Sequence, residues 1–181
     1  MPVVANFVAF KAGWLSSVLG GANQMPWLGP LAVAVAVLIH LSMARRPQTE
    51  IALILACGAI GTVFDSILVA AGWVSYPSGM FSQSLAPYWI IGMWMLFATT
   101  LNMSLSFLKG KPVLAFVMGF VAGPLAYLGG AKLGGMIFEN QFAALAMLAV
   151  GWGVMMPGLM ALAGRFDGMT AAPVAAAETG S

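Results

Sequence analysis

Long apolar runs alternate with short breaks of glycine, proline and polar residues, and this pattern repeats six times along the chain. The runs fall at roughly residues 3–21, 27–44, 50–73, 87–108, 112–131 and 141–164, each near the length of about 20 residues that a helix needs to cross a bilayer. Each break has a chemical cause. Gly20-Gly21, Asn23-Gln24 and Pro26 separate the first two runs, combining helix-weakening glycine with a proline that cannot continue a helix. Arg45-Arg46-Pro47 ends the second, Tyr76-Pro77-Ser78-Gly79 reads as a turn, and Pro87 falls at the first turn of the fourth, where its missing N–H is harmless. Lys109-Gly110-Lys111-Pro112 and Glu139-Asn140-Gln141 open the last two. A transmembrane β-barrel would need apolar and polar residues to alternate every second position. Leu31 to Ile39 contains no polar residue. The pattern therefore predicts an all-α, polytopic transmembrane helix bundle of about six spans over residues 1–164, with a short disordered tail at 165–181.

Composition narrows the class further. Among 181 residues there are seven Lys or Arg and five Asp or Glu, against 61% hydrophobic residues. A soluble domain of this size carries about a quarter charged residues, so water is the wrong solvent for most of this surface. The net charge of +2 forms no basic patch, and nucleic acid is not an expected partner. Residues 1–10 lack Lys and Arg, and Lys11 interrupts the first apolar run, so that run reads as a retained span and not as a cleaved signal. Arg45, Arg46, Lys109, Lys111 and Arg165 fall on one set of connections and Lys132 on the other. Cytoplasmic loops collect Lys and Arg, which predicts both termini inside a bacterial inner membrane. Trp27, Trp73, Tyr76, Tyr88 and Trp89 would then form an aromatic belt at the outer face.

Several kinds of chemistry are excluded by counting. One His and one Cys cannot supply a bis-His haem, a multi-His di-iron centre or an H-E-x-x-H zinc site, so no metal and no cofactor is expected. No G-x-S-x-G or phosphate-binding G-x-x-x-x-G-K-[ST] occurs. The fourteen Met residues read as adaptable core filler. Gly119 with Gly123, Gly130 with Gly134, and Gly58 with Gly61 read as helix-packing positions; a homo-oligomer seam is the other use of such spacing. Pro124 and Pro157 are expected to kink the last two spans.

Away from the span ends, Lys11 and Asp65 are the two charged residues within the assigned spans, where an ionisable group costs about 2.5–3.5 kcal/mol at the bilayer centre. At 1.5 Å per residue, Lys11 lies roughly 12 Å from the cytoplasmic boundary, with His40, Cys57 and Asn102 at roughly 9–12 Å. Lys11, His40 and Asn102 are therefore a candidate polar pocket for an anionic or carbonyl-bearing group such as a lipid head. The alternative is that Lys11 snorkels and Asn102 bonds a neighbouring helix. Asp65 lies roughly 22 Å from the same boundary, a gap too long for Lys11 to bridge without tilt. Amid Val63, Phe64, Ile67 and Leu68 it is costly to ionise, which suits proton exchange; otherwise it is a structural group bonded to Trp94 N–H. Candidate binding residues are thus Lys11, His40, Asp65, Trp94 and Asn102, and no catalytic residue is assigned.

Trp27-Leu28-Gly29-Pro30, the Asp65 span, Pro87-Tyr88-Trp89, Phe97-Ala98-Thr99-Thr100-Leu101-Asn102, Gly123-Pro124-Leu125-Ala126-Tyr127 and Gly130-Ala131-Lys132-Leu133-Gly134 carry a resemblance. Over most of residues 7–163 the chain resembles an uncharacterised family of small bacterial inner-membrane proteins, domain of unknown function twenty-eight seventy-eight. The resemblance implies a six-helix membrane protein, encoded near enzymes that resemble cyclopropane-fatty-acid synthases, and hence a role in handling membrane acyl chains. The expected function is to bind or move a lipid-like or small amphipathic molecule, with membrane lipids and a lipid-modifying enzyme as partners. The alternatives are a membrane-embedded enzyme acting on acyl chains, and a proton-coupled transporter using Asp65.

Overall fold

A computed structural model describes residues 2–170. Six helices follow one another: α1 (Pro2–Ala22), α2 (Leu28–Met43), α3 (Pro47–Ala70), α4 (Tyr88–Leu101), α5 (Pro112–Lys132) and α6 (Gln141–Arg165). They fall where the apolar runs predict. Pro47 and Pro112 stand in the first turns of α3 and α5, where the ring costs no hydrogen bond. The Asn140 side chain accepts from Ala143 N at 3.1 Å and caps α6. Both α5 and α6 run on through Pro124 and Pro157.

Four of the helices, α1, α3, α5 and α6, are long and apolar enough to cross a membrane, whereas α2 and α4 have 16 and 14 residues. The shortness of α4 corrects the fourth predicted span. Its helix stops at Leu101, and Met103 and Leu105 donate their N–H groups back to Thr100 O. A 3₁₀ turn, Ser106–Leu108, follows. Hydropathy alone carried the apolar pattern through this polar elbow.

The outward distribution of side chains is that of a lipid-solvated bundle. Val4, Leu38, Val63, Val113 and Val154 are each more than half exposed, while Asn6, Ser17, His40, Glu50, Asp65, Thr99, Thr100 and Asn102 are buried. Such an apolar exterior around polar contacts suits a membrane and would be an aggregation surface in water.

Inside, α4 packs on α1, α2 and α3, and α5 packs chiefly on α6, which joins α3. Glycine permits these close contacts. A Cβ added at Gly61 would overlap the ring of Trp94, and one at Gly119 or Gly123 would overlap Trp152. These glycines serve intramolecular seams, as small residues do wherever helix backbones approach closely. Gly134 instead has φ +81° and turns the chain after α5, a conformation open to glycine at no steric cost.

The connections sort to two ends. At one, strands β1 (Val74–Ser75) and β2 (Ile137–Phe138) pair antiparallel, and Ser78 Oγ donates to Gly21 O at 2.7 Å. At the other, Arg46 N donates to Gly168 O at 3.0 Å, and Lys109 Nζ lies 2.7 Å from Asp167 Oδ2. The connections holding Arg45, Arg46, Lys109 and Lys111, together with Arg165 at the end of α6, share this second end, opposite Lys132. The aromatic belt needs correction. Trp27 is exposed, but Tyr76 and Trp89 are buried and meet edge to face at 5.5 Å. Their polar tips have inward partners, so they belong to the core.

Candidate functional site

Asp65, on α3, is fully buried. Trp94 Nε1 from α4 donates to Oδ2 at 2.6 Å. The Tyr127 hydroxyl from α5 lies 2.8 Å from Oδ1 and 3.0 Å from Oδ2. Tyr76, from the loop after α3, donates to Oδ1 at 3.3 Å. Three neutral aromatic donors thus converge on one carboxyl, and the hydrogen bonds tie α3 to α4 and α5. The Trp94 ring stacks on Trp152 of α6 at 4.6 Å with 12° between planes, which extends the cluster to a fourth helix.

In front of this cluster lies a cavity of about 590 Å³ between α1, α4, α5 and α6. Tyr76, Trp94 and Tyr127 are part of its wall, with Met93, Phe97 and Met118 among the apolar residues and Lys11 on the α1 side. The volume falls in the range of about 300–1,000 Å³ common to small-molecule sites. Lys11 is exposed, and its Nζ stands 5.6 Å from the Phe7 ring centre, 5.9 Å from Phe10 and 6.0 Å from Trp14. That arrangement steadies a cation near hydrocarbon.

A second polar cluster sits at the end that carries Arg46 and Lys109. Glu50, fully buried in the first turn of α3, accepts from His40 Nε2 at 2.8 Å and from Asn102 Nδ2 at 2.8 Å. Gly168 N donates to the same carboxylate at 2.7 Å. Asn102 also donates to Phe166 O at 3.1 Å, and Arg46 reaches Asp167 O. The segment 166–170 is therefore strapped across the bundle. A side chain at 168 would run into Arg46 O and Glu50, so glycine is required there. The tail is docked as far as Thr170, contrary to expectation; the rest of the region expected to be disordered, 171–181, lies outside the described residues.

The model of the family described as "Protein of unknown function (DUF2878)" matches residues 3–158. The chain belongs to this family. No curated protein and no solved structure matches it. The segment that this DUF2878 protein shares with its family holds the Asp65 cluster, the His40, Glu50 and Asn102 side chains and the whole cavity wall, while the strap at 166–170 that completes the second cluster lies beyond it.

In this DUF2878 chain the five sequence-derived candidates divide into three groups. Asp65 and Trp94 are bonded to each other. His40 and Asn102 meet, but through Glu50. Lys11 joins neither: it lines the cavity, so the pocket of Lys11, His40 and Asn102 does not form. Equal depth placed them at one level without fixing which way their helices turn. Glu50 opens the third predicted span, where an acid reads as a boundary residue, although an acid ten residues from the single His is a usable signal. Tyr76, Tyr127 and Trp152 had no signal beyond being aromatic.

The strap yields an acid-dependence. Burial raises the Asp167 carboxyl, but the Lys109 ammonium and the N–H groups of Thr170 and Met169 outweigh this and hold it below the usual carboxylate range. A group depressed in the folded state contributes stability above its unfolded pKa and loses it as pH falls through the folded value. A spin label at position 170 should therefore stay immobile from neutral pH through the ordinary carboxylate range and gain mobility only below it. Lys109→Met should bring that release to higher pH. A label equally mobile at every pH would show that the strap is not held this way.

Proposed function

We propose that this protein binds or moves a lipid-like or small amphipathic molecule within a bacterial cytoplasmic membrane, with both termini on the cytoplasmic side. The observation that carries the reading is the cavity of about 590 Å³, walled mainly by apolar and aromatic side chains and bordered by a few separated polar groups, among them Lys11 and the Tyr76–Tyr127 pair. An apolar chamber with few, separated polar groups is what an amphipath requires. Methionine suits it further, because a flexible, polarizable side chain adapts to an irregular apolar ligand. The gathering of Arg45, Arg46, Lys109 and Lys111 at one end supports the orientation. A role beside enzymes that modify membrane fatty acids stays with the family resemblance.

A second reading, proton-coupled transport, is favoured by one observation: Asp65 is fully buried and directly behind the cavity wall. Buried intramembrane acids are a recurrent part of proton relays.

The first reading is tested with a brominated monoacylglycerol, an uncharged amphipath that quenches tryptophan, on protein in neutral detergent. Trp14, Trp94 and Trp152 line the cavity, so quenching should saturate. Ala126, exposed in the same wall, allows a filling substitution: Ala126→Phe should weaken the saturable phase at least tenfold with thermal unfolding unaltered. Quenching that never saturates, or that is the same in a folded Ala126→Phe variant, would rule the cavity out as the site.

A further inference from the structure

The hydrogen-bond state of the cavity wall says what charge the occupant carries. This deepens the amphipath reading and rests on it. Most polar hydrogens in the wall are already committed. The Tyr76 and Tyr127 hydroxyls and the Trp94 indole donate to Asp65. Trp89 Nε1 donates to Ser78 O at 3.0 Å, Thr100 Oγ1 to Phe97 O at 2.6 Å, and Ser104 Oγ to Asn6 Oδ1 at 2.9 Å. A hydroxyl whose proton is committed keeps only its lone pairs to offer. The wall on the Asp65 side therefore consists mainly of acceptor oxygens and ring faces, both electron-rich, with the Trp152 N–H beside Tyr127 as the one donor there that Asp65 does not hold. The donors outside this set are the Lys11 ammonium and the Trp14 indole on the α1 side, and Trp152 Nε1, which is buried without a partner.

Behind that wall Asp65 has no cationic partner among the described residues. Among the described residues the acid–base pairs are His40 with Glu50 and Lys109 with Asp167. Buried carboxylates are normally paired, because an isolated charge in a low-dielectric interior is costly. Here the carboxyl is separated from the cavity by a single layer of aromatic side chains, and that layer is itself attractive to positive charge, because the face of an aromatic ring is electron-rich. An anion in the same place would meet ring faces, oxygen lone pairs and the carboxyl together.

We infer that the cavity takes a lipophilic organic cation, its charged group against Tyr76, Trp94 and Tyr127 in front of Asp65 and its apolar body toward Met93, Phe97 and Met118. Lys11 borders the other side of the cavity and opposes a cation, which fixes the direction in which such a molecule lies.

Tetraphenylphosphonium and tetraphenylborate have nearly the same shape and opposite charge, and they test this directly. Each is measured by equilibrium dialysis of the full-length protein in neutral detergent against protein-free micelles. The phosphonium is expected to bind at least tenfold more tightly than the borate. Asp65→Asn, which keeps the size and the acceptor oxygen, should weaken the phosphonium at least tenfold without weakening the borate. Lys11→Met, at an exposed position where folding is not at stake, should tighten the phosphonium severalfold. Borate binding as tightly as phosphonium, a folded Asp65→Asn variant with undiminished preference, or weaker phosphonium binding by Lys11→Met would each overturn the inference. Should Asp65→Asn fail to fold, the wild-type ion pair and Lys11→Met still decide. Saturable quenching by the uncharged monoacylglycerol without binding of either ion would overturn the cation alone; absence of all three would overturn the amphipath reading as well.

Discussion

Gly61→Ala is expected to destabilise the bundle by about 3–4 kcal/mol, the sum of an overpacking cost and one lost hydrogen bond. The added methyl group would overlap the Trp94 ring, and Trp94 cannot yield without giving up two contacts at once. Its Nε1 is committed to Asp65 Oδ2 at 2.6 Å, and its face is stacked on Trp152. Trp152 in turn fills the space left by Gly119 and Gly123. One methyl therefore propagates from the α3–α4 seam into the α5–α6 seam. Gly158, which has nothing within 4 Å of an added Cβ, is the matched control: Gly158→Ala should be neutral or stabilising by up to about 1 kcal/mol, since alanine is the better helix former. The two are compared by thermal unfolding in detergent. Equal midpoints would show that the seam repacks freely.

Glu50→Ala should cost about 3 kcal/mol, the scale on which buried charged networks lose stability when one member is removed. The carboxylate collects His40, Asn102 and Gly168 N, and alanine would leave His40 and the Gly168 amide without an acceptor and Asn102 with Phe166 O alone. His40 Nδ1 and Asn102 Oδ1 are already buried without partners, so the cluster has little capacity to reorganise. Glu50→Gln, which keeps one carbonyl oxygen, should be milder. Hydrogen exchange supplies a readout specific to the network: the Gly168 amide should lose protection in Glu50→Ala, whereas the Leu148 amide, deep in α6, should not. Protection at 168 that survives the substitution would mean that Arg46 and Lys109 hold the strap without Glu50.

The sequence was most informative where the physics is local or additive. Helix positions followed from apolar length and from prolines and glycines at the breaks, because the cost of unsatisfied backbone in hydrocarbon leaves helices as the answer for such runs. The grouping of Arg45, Arg46, Lys109 and Lys111 at one end followed from counting. Asp65 stood out because a carboxyl within an apolar span demands an explanation, and Trp94 as its partner followed from its place on the next helix. The end of α4 was not legible: Asn102 and Ser104 break the helix through tertiary bonds to Glu50 and Asn6, which hydropathy cannot register.

Apolar run length and charge placement thus determined by themselves that this chain is a helical membrane bundle with one cationic end, since both act through the solvent and not through neighbours. Tertiary structure alone decided which polar groups meet. Rotation of each helix about its axis turned Lys11 into the cavity, brought His40 and Asn102 onto Glu50, and gathered Tyr76, Trp94 and Tyr127 around Asp65. Depth along a helix is set by residue number, but the direction in which a side chain points is set by packing, and packing depends on every other helix at once.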